Sequence, residues 1–253
     1  MTIHFFCMTA AAACAMTLAG CAAPSGYGLA SARAAAVAPP ETPINPQSTY
    51  VNLIQQLQQK GLWFASLAHI DAYEQQNGVS PETQLMRGDA LRQTGQLDAS
   101  AAIYQKLMGS AAEAAGYRGL GLIAGARGDF PLAVQMLEQA QRRNPTDAIV
   151  LSDLAYAYMR SGRLAQARIP VMQASQLQPE LAKVQGNLAL FLLMDGQRPQ
   201  ADAVMERARM SSELREAIQR EAQRARPVPD LIANSTPASG PLRLKISPWP
   251  FSQ

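Results

Sequence analysis

Few residues in this chain of 253 could do chemistry on their own. Thiol chemistry or soft-metal binding would fall to Cys7, Cys14 and Cys21, and imidazole chemistry to His4 and His69. A zinc site needs several such ligands converging, and a thiol nucleophile needs a base beside it. Cys7 and Cys14 lie inside the apolar run "FFCMTAAAACAMTLAG" (5–20), Cys21 follows it in "TLAGCAAP", and His69 stands alone on a helical segment. No Gly-rich phosphate loop is present, and no Ser-Lys or paired-carboxylate site stands out. The pattern points away from an enzyme and puts the weight on Cys21, placed after small residues and before a run that cannot fold.

The apolar run is shorter than the roughly 20 residues that cross a bilayer as a helix. Ala, Pro, Ser and Gly follow it at once, as after a cleaved export signal. Leu18, Ala19, Gly20 and Cys21 resemble, position by position, the lipobox of bacterial lipoprotein precursors. That resemblance implies a signal peptide over 1–20, cleavage ahead of Cys21, and a covalent lipid on Cys21 as the only non-protein group. Each buried CH2 adds about 0.8 kcal/mol, so several acyl chains make release negligible. Ala22 follows the cysteine where Asp would favour retention. By resemblance to enterobacterial sorting, this implies the inner leaflet of the outer membrane, facing the periplasm. With Cys7 and Cys14 removed and Cys21 lipidated, no disulfide is possible and packing alone must stabilise the fold.

Residues 21–46 follow as a tether. They hold Pro24, Pro39, Pro40, Pro43 and Pro46 but only two charges, Arg33 and Glu41, too little apolar surface to offset ordering. Such a segment spans roughly 30 Å as a coil and about 75 Å as polyproline II. The chain as a whole is 48% hydrophobic with a net charge of +3, which gives no strong basic field and predicts no nucleic-acid partner. The Arg-rich spots at Arg142-Arg143 and "REAQRAR" read as solvated faces.

The folded body is legible as a repeat. Glycine recurs at positions 61, 95, 128, 162 and 196, at intervals of 33 or 34, each between two amphipathic helical segments. Two helices per 34 residues is the tetratricopeptide signature. Five units are expected over 47–215 (47–80, 81–113, 114–147, 148–181 and 182–215), with a capping helix over 211–226. Gly121 and Ala133 are small where two helices should press together, and Glu216 and Arg220 are spaced as a favourable i,i+4 pair on the cap. The predicted fold class is an all-α tetratricopeptide superhelical solenoid with an N-terminal tether and a Pro-rich tail over 227–253.

Membership of that repeat class implies that the first helix of each unit lines the concave face. By register, the N-terminal half of that face is polar, with Gln55, Gln58, Asp89 and Arg92. Its C-terminal half carries an apolar strip of Tyr156, Met159, Leu190, Leu193 and Met194, flanked by Arg118, Arg160 and Lys183, and Leu122 joins the groove beside Arg118. An exposed apolar strip of this kind marks a binding site, and Met lends adaptability to a groove that receives a helix or extended peptide. The same residues could instead pack against the cap helix or the tail. Asn187 falls where tetratricopeptide proteins often place an Asn that holds a ligand backbone, a role carried over by resemblance alone. In the tail, Leu242, Leu244 and Ile246 alternate with Arg243 and Lys245 ahead of Trp249 and Phe251. That period of two suits addition to a partner's sheet edge, with disorder as the other reading.

A lipobox with a tetratricopeptide solenoid narrows the field to scaffolding lipoproteins of the bacterial envelope. The stretches "LMRGDALRQTGQLDASAAIYQKL" (85–107) and "VQGNLALFLLMDGQRPQA" (184–201) resemble the TadD family, lipoproteins of the tight adherence (Tad/Flp) pilus apparatus. The resemblance implies a pilotin-like adaptor that binds the secretin subunit, alongside other Tad components, and supports secretin assembly. A type IV pilus pilotin, a peptidoglycan-enzyme scaffold and a lipoprotein enzyme stay open as alternatives.

Overall fold

The computed structural model describes residues 46–225. Among the described residues are eleven helices and no strand: α1 (Pro46–Gln59), α2 (Trp63–Asn77), α3 (Pro81–Gln93), α4 (Leu97–Gln105), α5 (Glu113–Ala126), α6 (Phe130–Arg143), α7 (Ala148–Arg160), α8 (Leu164–Leu177), α9 (Ala182–Met194), α10 (Arg198–Arg207) and α11 (Ser212–Ala225). The first ten form five antiparallel pairs, and none of the eleven is long and apolar enough to cross a membrane. The expected all-α repeat architecture is therefore present.

The glycine period is a period of turns. At Gly128 φ is +80°, a conformation that a Cβ penalises. There the Asp129 N–H donates to the Ala124 carbonyl (2.9 Å) and the Gly128 N–H to that of Gly125 (3.0 Å), which satisfies carbonyls left open at the end of α5. Gly61, Gly95, Gly162 and Gly196 adopt φ between 70° and 80° in the same place of their pairs. The starts of α3, α6 and α7 are capped by a Ser or Asp side chain. Ser80 and Thr83 make a reciprocal capping box ahead of Pro81, and Asp147 accepts from the Ile149 and Val150 N–H groups. Pro46 opens α1, where its missing N–H costs nothing.

Each first helix packs on the second helix of the preceding pair and on the preceding first helix, so α1, α3, α5, α7 and α9 stack side by side. Close approach depends on small residues. Tyr104 of α4 is fully buried against α3 and α5. A Cβ on Gly88 would lie 2.6 Å from its ring and one on Gly119 2.4 Å. Gly121 plays the part expected of it, since a Cβ there would meet Leu137 of α6 at 2.7 Å, and Ala133 opposite is fully buried. Helix α5 holds four glycines, each costing about 1 kcal/mol against Ala. Packing rather than propensity therefore holds α5 helical.

The second pair departs from the others. Helix α4 has only nine residues, and the chain turns through Gly109 (φ +76°) before α5 begins, which accommodates the residue missing from that unit. At the other end α10 stops in an αL turn at Arg209 (φ +48°), and α11 then packs chiefly against α9.

Candidate partner-binding face

The first helices bring a line of charge across three units. Asp153 of α7 is fully buried, an acid alone in the apolar helix "AIVLSDLAYAYMR". Its Oδ2 lies 2.7 Å from Arg118 Nε of α5, and its Oδ1 lies 2.6 Å from Lys183 Nζ of α9. Burial works against the charge of this carboxyl, but Lys183 and Arg118 more than offset it and hold the group below the ordinary carboxylate range. Lys183 is itself buried, while the Arg118 side chain keeps 28% of its surface exposed. The line thus presents one accessible cation to the face.

One turn along, Asn187 of α9 is fully buried and donates from Nδ2 to the Ser152 carbonyl (3.1 Å) and Oγ (2.8 Å) of α7. Its amide pins α7 to α9, so the ligand-holding geometry implied by resemblance is taken up inside the chain.

The C-terminal part of the face corrects the expectation of an exposed apolar strip. Leu122, Tyr156, Met159, Leu190 and Leu193 are brought together, but all are buried in one cluster against which Met194 also packs. Ile218 and Ala222 of α11 belong to the same cluster. The physical reason is that α11 lies on α9 and covers the side of the first helices that register alone leaves open. Of the two readings of these residues, packing beneath the cap helix is the one observed. Arg160 remains at the edge, with its side chain 30% exposed. Its guanidinium sits 4.4 Å over the Phe130 ring, and Nη1 donates to Glu221 Oε1 of α11 at 2.5 Å and to the Tyr156 hydroxyl at 2.9 Å. The Tyr156 hydroxyl in turn donates to Glu221 Oε1 at 3.0 Å. Burial pushes the Tyr156 phenol well above its ordinary value, with Arg160 opposing and Glu221 adding to the shift.

A family model described as tetratricopeptide repeat matches residues 118–182, which include Arg118, Asp153, Tyr156 and Arg160. The chain folds as a tetratricopeptide-repeat solenoid. It is 28% identical over 166 residues to the TPR repeat-containing protein PA4299 of Pseudomonas aeruginosa, a span of 66% of each protein and just under two thirds of that relative. Among solved structures, the thermophilic TPR protein TTC0263 of Thermus thermophilus superposes with a TM-score of 0.58 at 20% identity. That match covers 71% of this chain and 98% of the Thermus protein. It speaks for the fold alone.

Two residues of this site were not singled out by the sequence as functional. Asp153 carried a signal, since a lone acid in an apolar helix must find a cation. Glu221 lies in "REAQRAR", expected as a solvated face, and the structure corrects this, because α11 turns Glu221 and Ala222 inward onto the first helices. Cys21 and the tail residues Leu242, Leu244, Ile246 and Trp249 lie outside the described residues.

Proposed function

We propose that the chain is a lipid-anchored adaptor of the bacterial outer membrane, held through acyl chains on Cys21. In this reading its solenoid binds the secretin subunit of a Tad/Flp pilus system, together with other Tad components, and supports secretin assembly. A tetratricopeptide solenoid is suited to protein–protein interaction, and this chain couples one to a lipobox at the end of an apolar leader. That coupling is the observation that carries the reading. Anchoring confines the solenoid to the leaflet where the secretin inserts, so a modest contact gains from high effective concentration.

The experiment is fractionation of cells carrying Cys21→Ser beside an assay of secretin multimers. The variant is expected to leave the outer-membrane fraction and to lower the multimers. Normal multimers with Cys21→Ser would sink the anchoring mechanism. Recovery of cell-wall hydrolases and no secretin with the detergent-solubilised unaltered protein would replace the pilus reading with that of a peptidoglycan-enzyme scaffold.

A further inference from the structure

We propose that the trough formed by α7 and α9 is the docking surface for an amphipathic helix of the partner that carries a carboxylate beside its apolar stripe, and that α11 fills this trough until that helix displaces it. The inference rests on the adaptor reading and deepens it by naming the surface and the chemistry it selects.

What α11 covers is richer than what it brings. Beneath it lie Tyr156, Leu190 and Leu193, three large side chains shut away from water, whereas α11 contributes the buried Ile218 and Ala222 and the partly buried Leu214. Its other face is polar, with Glu213, Glu216, Arg220, Gln223 and Arg224 all exposed. A cavity of about 70 Å³ lined by Leu193, Arg198, Gln219, Ala222 and Gln223 remains beside α11, and apolar burial scales with the area removed from water, so a helix bearing a larger side chain in place of Ala222 would fill space that α11 leaves empty.

The polar contact sets the charge of the occupant. Glu221 reaches across α9 to α7, 61 positions back in sequence, and meets Arg160, whose guanidinium is already held over Phe130 and hydrogen-bonded to the Tyr156 hydroxyl. A cation fixed at the edge of an apolar trough selects a carboxylate at that point and disfavours a basic helix. The connection is short as well. The chain passes from α10 to α11 through Arg209 at φ +48°, a conformation that favours glycine, and Arg215 of α11 donates to the Met210 (2.9 Å) and Met205 (3.4 Å) carbonyls, so release of α11 breaks these two bonds and leaves the contacts among the five pairs in place.

The test uses the full chain and a fluorescent synthetic peptide of sequence 212–225 carrying Ala222→Leu. The unaltered chain, whose own α11 competes at high effective concentration, is expected to bind the peptide at least about tenfold more weakly than a chain loosened by Ile218→Ala. Adding Arg160→Glu to the loosened chain should cost about tenfold again, and a peptide with Glu221→Lys should recover that loss by reversing the charge pair. A folded Ile218→Ala chain that binds no more tightly, or a charge reversal that recovers nothing, would overturn the proposal. Hydrogen exchange on the unaltered chain gives a second measurement: α11 amides should exchange at least about a hundredfold faster than those of α9, and equal protection overturns displacement. Secretin recovery separates the two readings. Equal recovery by the unaltered and Arg160→Glu chains would remove the trough and leave the adaptor, whereas the expected peptide binding without any secretin would leave the trough and remove the secretin.

Discussion

The ring of Tyr104 occupies the space that a side chain on Gly119 would need, with its Cζ only 2.4 Å from where a Cβ would stand. A fully buried aromatic ring held between two helices cannot give way by a rotamer change. Gly119→Ala is therefore expected to destabilise the solenoid by about 2–3 kcal/mol through overpacking, although Ala is the better helix former. Urea denaturation followed by circular dichroism checks this, and a variant at least as stable as the parent would show that α4 and α5 do not approach so closely.

Asp153 gives the fold a pH signature. Its carboxyl sits below the ordinary range in the folded chain and near 3.9, roughly, in an unfolded one. Its contribution is therefore complete above about pH 4 and is lost as pH falls toward the folded value. Asp153→Asn should cost about 3–5 kcal/mol at neutral pH by leaving Lys183 buried without its counter-charge, and should flatten the acid side of the stability curve. Parallel loss of stability in parent and variant down a pH series would show that the carboxylate is not what titrates.

Leu190 is fully buried, so Leu190→Glu is expected to act on folding before it acts on binding. A charge forced under α11 should cost about 4 kcal/mol or more, whereas Met194→Glu, at the partly buried end of α9, should cost about 1 kcal/mol. Thermal melts of the two variants make the comparison. A Leu190→Glu chain that melts with the parent would place α11 away from α9.

Arg209 is the one non-glycine residue with positive φ among the described residues. Its N–H donates to the Glu206 carbonyl at 2.8 Å, and that of Met210 to the Met205 carbonyl at 3.0 Å, the pattern of a glycine-ended helix. Arg209→Gly should raise stability by up to about 1 kcal/mol, since relief of the αL penalty exceeds the entropy glycine adds to the unfolded chain. Arg209→Val should lower it. Melting temperatures that move the other way would remove the turn.

What was legible in the sequence is what local chemistry dictates. The turns at Gly61 through Gly196 need positive φ wherever they occur, so their spacing reports the fold without knowledge of any contact. Gly121 and Ala133 were legible because both sit at the crossing inside one unit. The cover over Leu190 and Leu193 was not, because an apolar residue on a first helix looks the same whether it lines a groove or lies under a cap. The direction taken by α11 depends on the turn at Arg209, a residue whose type gives no hint of αL geometry. Arg118, Asp153 and Lys183 lie on three different units, so their meeting follows from how the units stack and from no motif within one of them.

Helices α5 and α9 flank α7, and Asp153 of α7 holds a cation from each. Bending that opens this face of the stack about α7 therefore stretches both ion pairs at once. A single carboxylate thus works as a tie that fastens the third, fourth and fifth units to one another along one face.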